Sequence, residues 1–241
     1  MIRIDPDREL SELRAYLGDD FDQRRLERHE VELREELERV GDEAELYRTS
    51  QAYLYDLTVF AMSRTKEPYL DRLARAVEPP ARVLDYGAGI GSDGLLLLEA
   101  GYRVEFADFA SPSTEYLRWR LERRGLTAPI HDLDAAPPPA GFDLAYAFDV
   151  IEHVPDPFAF LGELEARARL VLVNFLDPVP GETPLHHDLP VAALLDHATS
   201  HGLRAYDLHH ARSHLVLYAP GRRSRLSAAA RARAQARRRR P

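Results

Sequence analysis

Hydrophobic residues in the first third of the chain recur with the period of an α-helix. Between residues 22 and 41 the apolar positions are separated by seven, four and three residues, and charged residues fill most positions between them. These apolar residues are Leu26, Leu33, Leu37 and Val40. Gly41 follows at the expected end of the helix. The pattern predicts one amphipathic helix over 22–41, a second over 42–63 and a third over 66–77.

From residue 82 onwards, short apolar runs alternate with helical stretches. Such alternation is typical of a mostly parallel sheet with helices on both faces. Strands are predicted at RVLDYG, YRVEFAD, API, FDLAYAFD, ARLVLVNF, residues 203–208 and HLVLYA. Helices are predicted at about 92–100, 113–124, 157–167 and 190–201. The sequence therefore predicts an α/β fold with a doubly wound, mostly parallel, seven-stranded sheet.

These patterns divide the chain into three parts. Residues 1–78 are expected to form a helical lid over the open edge of the sheet, 79–220 an α/β domain, and 221–241 an arginine-rich, disordered tail. One face of the second helix is predicted to carry Leu46, Tyr53, Leu57 and Phe60. An aromatic surface suited to a ring-shaped ligand, or to the core of the lid itself, is predicted from Tyr47, Tyr53, Tyr55, Phe60 and Met62. The heptad-like spacing of residues 26–40 can also form the seam of a homodimer.

Charge and composition narrow the classes of partner. The nine arginines of residues 222–241, taken from 32 basic residues, leave 23 against 40 acidic ones, a net charge of −17 for the rest of the chain. An acidic body argues against a nucleic acid partner. The chain has no cysteine, which excludes disulfides and a thiol nucleophile. No apolar stretch suits a membrane span or a signal peptide, so we expect a cytoplasmic protein that acts on a small molecule.

The segment VLDYGAGIGSDG, residues 83–94, carries the strongest chemical signal. A buried strand is predicted to end at Asp85, and Gly87, Gly89 and Gly91 follow at alternate positions before the next helix. Glycine lets the backbone turn sharply and lets a ligand lie against the main chain. A dinucleotide fingerprint is GxGxxG and presents a helix N-terminus to pyrophosphate. This loop is DxGxGxG instead, and its carboxylate suits a cationic ligand better.

Acidic residues also follow the next predicted strands. Asp108 ends the second strand, 23 residues after Asp85, where doubly wound folds place an acid that accepts hydrogen bonds from ribose hydroxyls. The alternative is that Asp108 only caps the helix that follows. Asp132 comes after the third strand, and FDVIEHVPDP follows the fourth at residues 148–157.

Together these segments resemble the class I S-adenosylmethionine-dependent methyltransferases, and FDVIEHVPDP is similar to the motif of small-molecule enzymes of the ubiquinone-biosynthesis type. The resemblance covers about residues 66–218. It implies a Rossmann-like methyltransferase fold in which residues 79–220 bind S-adenosylmethionine and transfer its methyl group to a small molecule.

The same resemblance implies a set of cofactor contacts. The acid and glycines of the first motif would hold the amino acid half of the cofactor. Asp132 would accept a bond from the adenine amino group, Leu133 would donate its backbone amide to the ring, and Phe109 would lie against the ring face. The implied cofactor-binding residues are Asp85, Tyr86, Gly87, Ala88, Gly89, Gly91, Asp108, Phe109, Asp132, Leu133 and Asp149.

Histidines point to the chemistry of the acceptor, because a hydroxyl acceptor benefits from a general base with a pKa near neutrality. Seven of the ten histidines fall between residues 186 and 214. His186 and His187 follow the fifth strand, and one of them is the preferred base. His153, in the EHVPDP motif, is either catalytic or structural. These residues favour O-methylation in a biosynthetic pathway.

Three further hypotheses compete with this one, which itself requires no metal. His186, His187, Asp188 and His214 offer three imidazoles and a carboxylate, which suit Fe(II) or another divalent ion that assists the transfer. No tight HxH or HExxH spacing supports that cluster. The remaining hypotheses are an NAD-dependent oxidoreductase and a cofactor-binding protein without turnover. Solvent-exposed positions are expected for His197, His201, His209 and His210.

Overall fold

The computed structural model describes residues 2–179, 183 and 185–239 of the chain. In that part, six α-helices precede the first strand. They are α1 (Pro6–Leu17), α2 (Gln23–Glu27), α3 (His29–Val40), α4 (Glu43–Thr49), α5 (Ala52–Met62) and α6 (Glu67–Ala76). The helices that follow the first strand are α7 (Ser92–Glu99), α8 (Pro112–Arg123), α9 (Pro157–Arg167), α10 (Val191–Ser200) and α11 (Leu226–Arg239).

Seven strands form one sheet in the order β3-β2-β1-β4-β5-β7-β6. The strands are β1 (Arg82–Tyr86), β2 (Arg103–Asp108), β3 (Ile130–Asp132), β4 (Leu144–Ala147), β5 (Val171–Leu176), β6 (Leu203–His209) and β7 (Ser213–Tyr218). The pairs β2/β3 and β4/β5 are parallel, whereas β7 runs antiparallel to both β5 and β6. The predicted α/β fold with a mostly parallel, seven-stranded sheet is confirmed.

The chain divides into two compact units. The first contains Met1–Pro80 and Asp85–Pro138, and the second contains Ala81–Leu84 and Pro139–Pro241. A buried apolar cluster of the first unit draws on α1, α2, α5, the glycine loop and α8. Its members are Leu13, Leu26, Leu54, Tyr55, Ile90 and Tyr116. The N-terminal helices thus share a core with the glycine loop, and their role as a lid stays a prediction.

Both long helices predicted before residue 64 are broken in two. The helix expected over 22–41 is interrupted at Arg28, and the one expected over 42–63 is interrupted between Thr49 and Ala52. At the second break, Ser50 adopts an extended backbone and its hydroxyl accepts a hydrogen bond from the Tyr53 N–H at 3.0 Å. Ser50 thereby acts as a start signal for α5, in the way serine does at helix N-termini. Helix α1 lies within the region 1–78 that was expected to be helical, although no individual helix was predicted at its position.

The buried face of α5 also differs from the prediction. The fully buried residues of α5 are Ala52, Leu54, Tyr55, Thr58 and Ala61, while Tyr53, Leu57 and Phe60 are only half-buried. Tyr55 is 1% exposed, and its hydroxyl accepts a hydrogen bond from the Asp22 N–H at 3.0 Å. Tyr55 therefore belongs to the core rather than to an aromatic ligand surface. The rings of Tyr47 and Tyr53 lie next to each other, with their centres 5.3 Å apart.

The arginine-rich end of the chain is helical where the structure describes it, so the expected disorder of 221–241 is wrong for Leu226–Arg239. Helix α11 packs against α10 and β6 through a row of buried alanines. These are Ala228, Ala229, Ala232 and Ala236. Residues 240 and 241 lie outside the described residues. In the described part of the chain, no helix has the length and apolar character needed to cross a membrane.

Candidate functional site

The glycine loop between β1 and α7 follows a backbone path that favours glycine. Gly87, Gly89 and Gly91 have φ angles of 76°, 52° and 72°, a region that side chains with a Cβ rarely adopt. The N–H groups of Gly87 and Ala88 donate to the Ala107 carbonyl at 2.8 and 3.3 Å. These bonds fasten the loop to the carboxyl end of β2.

Not every residue of the loop is available to a ligand. Tyr86, Ala88 and Gly89 are half-buried, but Gly91 is buried, and a Cβ on it would overlap the Leu117 side chain of α8. Asp85 is only 4% exposed. Gly91 therefore serves packing, and the prediction that it and Asp85 contact the cofactor is untested.

Asp108, at the end of β2, holds the glycine loop directly. Its Oδ2 accepts the Gly89 N–H at 2.6 Å and its Oδ1 accepts the Phe109 N–H at 2.7 Å. Burial raises the pKa of the Asp108 carboxyl, while the two amide bonds act to lower it. The helix after Asp108 is capped by Ser111, which forms a capping box with Thr114. The alternative that Asp108 only caps this helix is therefore wrong.

Asp132 lies beside Asp108 at the same edge, because the two are paired residues of the parallel strands β2 and β3. The Oδ1 of Asp132 accepts the Asp134 N–H at 3.0 Å, which orders the turn after β3. The Leu133 N–H donates to the Asp108 carbonyl oxygen at 3.0 Å, so in this structure that amide is already engaged within the protein. The structure thus brings the two predicted acids together and gives Leu133 a structural bond instead of an open donor.

Side chains from α4 and α5 reach this edge within the first unit. A Cβ on Gly89 would stand 3.0 Å from the Leu57 side chain. The Arg48 guanidinium lies over the Phe109 ring, 4.2 Å from its centre, and donates to both carboxylate oxygens of Asp134 at 2.8 and 2.7 Å. The Asp134 bonds raise the pKa of Arg48, and Arg48 lowers that of Asp134. Sequence reasoning missed Arg48, since its partner is 86 residues away.

A buried ionic network connects the glycine loop to α8 and α1. Arg120 of α8 is fully buried and donates to the Ile90 carbonyl at 2.9 Å and to the Ser92 hydroxyl at 2.9 Å. It also donates to Glu9 at 2.5 Å and to Glu12 at 2.8 Å, both in α1. Burial acts to raise the pKa of Glu12, but its arginine partners hold it below the usual value. Helix α1 is thus tied to the glycine loop by charge, which no local pattern indicates.

In the second unit, Asp149 follows β4 in a left-handed conformation with φ of 55°. Its N–H donates to the Asn174 side-chain oxygen at 2.9 Å, and its Oδ1 accepts from Asn174 Nδ2 at 2.7 Å. Asn174 is fully buried in β5 and also donates to the Ser213 hydroxyl at 3.2 Å. A neutral amide therefore sets the orientation of Asp149.

The EHVPDP motif gathers two of the predicted histidines. The His153 and His186 rings lie 4.8 Å apart, edge to face, and His153 Nδ1 is 2.9 Å from the Leu185 carbonyl oxygen. Since a carbonyl only accepts, Nδ1 carries a proton and Nε2 of neutral His153 is the basic nitrogen. His187 is exposed, although its N–H donates to the Glu152 carbonyl at 2.8 Å. Four residues of the adjoining loop (180–182 and 184) lie outside the described residues.

The metal cluster predicted from His186, His187, Asp188 and His214 does not assemble around His214. His214 is fully buried, with Nδ1 2.8 Å from the Tyr206 hydroxyl and Nε2 3.1 Å from Asp177. His186 instead groups with Glu152 and His153, whose ligand atoms lie within 4.8 Å of one another.

Comparison with known proteins identifies the family and the fold of the chain. A family model described as a methyltransferase domain matches residues 61–207. Magnesium protoporphyrin IX methyltransferase from Synechocystis PCC 6803, crystallised with bound SAH, is 16% identical with a TM-score of 0.56, and the match covers 79% of this chain and 99% of that chain. PH0226 protein from Pyrococcus horikoshii OT3 is 16% identical with a TM-score of 0.54, covering 73% and 95% respectively.

TehB from Haemophilus influenzae is 19% identical with a TM-score of 0.54 over 64% of this chain. This match spans 62% of the length of TehB, less than two thirds. At these identities the likeness is one of fold. No curated protein matches the chain significantly.

Proposed function

Because this chain belongs to the methyltransferase family, with the fold of S-adenosylmethionine-dependent methyltransferases, we propose that it transfers the methyl group of that cofactor to a hydroxyl of a small molecule. The finer parts of this proposal are the oxygen acceptor, the small-molecule class and the residues that act on them. The observation that carries the cofactor site is the juxtaposition of Asp108 and Asp132 beside the half-buried glycine loop.

The residues of this edge fit the chemistry of a sulfonium nucleoside. Asp108 uses one lone pair of each oxygen for the Gly89 and Phe109 amides, and a carboxylate has further lone pairs for ribose hydroxyls. The half-buried ring of Phe109 offers an apolar face for adenine. The carboxylates of Asp108 and Asp132 lie at the same edge, and their negative charge disfavours the pyrophosphate of NAD.

When bound, S-adenosylmethionine supplies an electrophilic methyl group. The acceptor oxygen forms the new bond to carbon as the sulfur–carbon bond breaks, and the hydroxyl proton goes to a base. We assign that base to one of three histidines. His153 of the EHVPDP motif is the first candidate because its Nε2 is the basic nitrogen of the neutral ring. His186, whose ring contacts His153, and the exposed His187 are the other two candidates.

The proposal is tested in two stages. Calorimetric titration with S-adenosylhomocysteine and with NAD should show binding of the first alone, and binding of NAD alone would overturn the cofactor assignment. The protein is then incubated with S-adenosylmethionine carrying a labelled methyl group and with phenols, sugars, carboxylic acids and amines. Labelled methyl ethers are expected, and labelled N-methyl or ester products alone would contradict the assignment to a hydroxyl.

A metal-assisted transfer is the second candidate, and the grouping of Glu152, His153 and His186 favours it. These residues, rather than Asp188 or His214, would hold a divalent ion, whose chemistry is to lower the pKa of a bound hydroxyl. Methyl transfer in excess chelator separates the two mechanisms, since full activity would exclude the metal-assisted one. A homodimer and the absence of a nucleic acid partner stay predictions.

A further inference from the structure

A second group of candidate metal ligands lies away from the EHVPDP motif, between helices α9 and α10. Glu165 of α9 and His197 and His201 of α10 place one ligand atom each within 4.8 Å of the others. All three are half-buried. The two histidines are four residues apart, so they project from the same face of α10. We propose that Glu165, His197 and His201 bind one Zn²⁺ or a similar borderline divalent ion, which joins α9 to α10.

The first argument is the order already present in the ligands. The His197 and His201 rings are stacked, with centres 3.9 Å apart and planes inclined by 15°. His197 Nε2 lies 2.7 Å from Glu165 Oε1. A metal ion would take the place of the proton that these two atoms share. The site therefore needs little rearrangement to exchange a hydrogen bond for two metal bonds.

The second argument is the protonation of His201. Its Nδ1 lies 2.9 Å from the His197 carbonyl oxygen, which only accepts, so Nδ1 carries the proton. In the neutral ring, Nε2 then holds the lone pair that a metal requires. Histidine ligands commonly donate their other ring N–H to a backbone carbonyl, which fixes the tautomer and orients the ring.

The support behind Glu165 follows the same rule. The hydroxyl of buried Tyr218, in β7, donates to Glu165 Oε1 at 2.9 Å. A ligating carboxylate is normally held by such an outer hydrogen bond. Tyr218 therefore fixes the carboxylate from the sheet side, while Oε2 stays available as a second ligand atom.

The donor set selects the class of ion. Two imidazoles and one carboxylate suit Zn²⁺ and similar borderline ions, whereas Mg²⁺ and Ca²⁺ prefer oxygen ligands. Three protein ligands leave a fourth tetrahedral position for water. Ligand atoms around zinc stand roughly 3.3 Å apart, given bonds of about 2.0–2.1 Å, so Glu165 Oε1 and His197 Nε2, which lie 2.7 Å apart, must separate slightly on binding.

The test titrates Zn²⁺ into chelator-treated full-length protein, in competition with a chromophoric chelator, without cofactor or acceptor. One tight site is expected, and His201→Gln should weaken it on the order of a hundredfold, because one of three protein ligands is lost. His210→Gln, which removes an exposed histidine outside the cluster, should leave the affinity unchanged. Circular dichroism establishes that each variant is folded.

Co²⁺ provides a readout of geometry that does not depend on stability. Wild-type protein is expected to give the intense visible absorption of tetrahedral Co²⁺, and Glu165→Gln should change that spectrum. Absence of a tight site in the wild-type protein would overturn the proposal. So would metal binding that survives in His201→Gln and is lost in His153→Gln, which would assign the ion to the EHVPDP region. The first result leaves the proposed methyl transfer untouched, whereas the second would support the metal-assisted mechanism.

Discussion

Two aspartates at strand ends, one in each compact unit, are held in place by different means. Asp108 is held by two main-chain amides, those of Gly89 and Phe109, and the loop that supplies one amide rests on the buried Arg120 network. Asp149 is held by one neutral side chain, Asn174. A carboxylate held by backbone depends on the path of the chain, whereas one held by a side chain depends on a single residue.

The largest expected effect is on stability and concerns the ionic network that Arg120 forms with α1 and the glycine loop. Arg120→Met should lower the free energy of unfolding by about 3–5 kcal/mol, because Glu9 and Glu12 stay buried and lose the cation they share, although Glu12 keeps its bonds to Arg124. Urea unfolding measures this. Arg118→Met, an exposed arginine of the same helix, should stay within about 0.5 kcal/mol of wild type.

A double variant separates lost packing from uncompensated charge. Adding Glu9→Gln to Arg120→Met removes the buried carboxylate that Arg120 contacts, while Glu12 keeps its bonds to Arg124 at 2.8 and 2.7 Å, so much of the lost stability should return. If the double variant is as unstable as the single one, ionic compensation is not what holds α1 to the loop.

Asp108→Asn should weaken S-adenosylhomocysteine binding by more than tenfold, since hydrogen bonds to a charged acceptor contribute about 1.5–3 kcal/mol. Calorimetry gives the dissociation constant. Asp19→Asn, an exposed acid of the first unit, is the matched control. An unchanged constant for Asp108→Asn would show that the ribose lies elsewhere.

The pH dependence of S-adenosylhomocysteine binding tests the same role of Asp108. Burial raises the pKa of Asp108, and ribose hydroxyls donate to its ionised form. Affinity for S-adenosylhomocysteine should therefore be full when the pH is above this raised pKa and should fall as the pH drops through it. In Asp108→Asn the weaker affinity should vary less over the same acid range, and a parallel decline in both proteins would assign the titration to another group.

Asn174→Leu tests how the second aspartate of the comparison, Asp149, is held. It removes both bonds to Asp149 and leaves buried polar groups without partners, which should cost about 1–3 kcal/mol of unfolding free energy. Ser213→Ala removes the bond from Asn174 to the Ser213 hydroxyl but leaves both bonds between Asn174 and Asp149 in place, so it should cost less. Equal losses in the two variants would show that Asp149 does not depend on Asn174.

The smallest expected effect concerns Arg48. Arg48→Ala removes the contact over Phe109 and the Asp134 pair, so S-adenosylhomocysteine should dissociate several-fold faster, with little change in unfolding because exposed ion pairs add little stability. Stopped-flow fluorescence measures the rate. Asp134→Asn keeps the arginine over the ring and should have a smaller effect, whereas an identical rate in wild type and Arg48→Ala would exclude α4 from cofactor retention.

The sheet could be predicted from sequence because its elements are regular. Strands such as β4 are continuous apolar runs, and the helices between strands have clear starts, including Ser111 before α8. The N-terminal helices were predicted less well, since Leu26 and Leu33 fit one helical stripe although they pack in different places. Leu26 joins the Leu13 cluster, while Leu33 is buried in α3, which packs on α5.

The candidate site divides in the same way. Asp108 and Asp132 could be found from sequence because each directly ends a strand, and parallel strands bring such ends together. Arg48 and Arg120 could not, since their partners are 86 and 111 residues away and only the tertiary fold brings them close. The His197–His201 pair was visible as a spacing of four but has meaning only once α9 supplies Glu165.

The double hydrogen bonding of Asp108 has a consequence for ligand recognition. A free carboxylate rotates and must lose that freedom when a ligand arrives, but this one is already oriented by amides whose positions are set during folding. The entropy of fixing it is therefore spent before any nucleoside binds, and binding energy that would otherwise order the acceptor is left for discrimination between ligands.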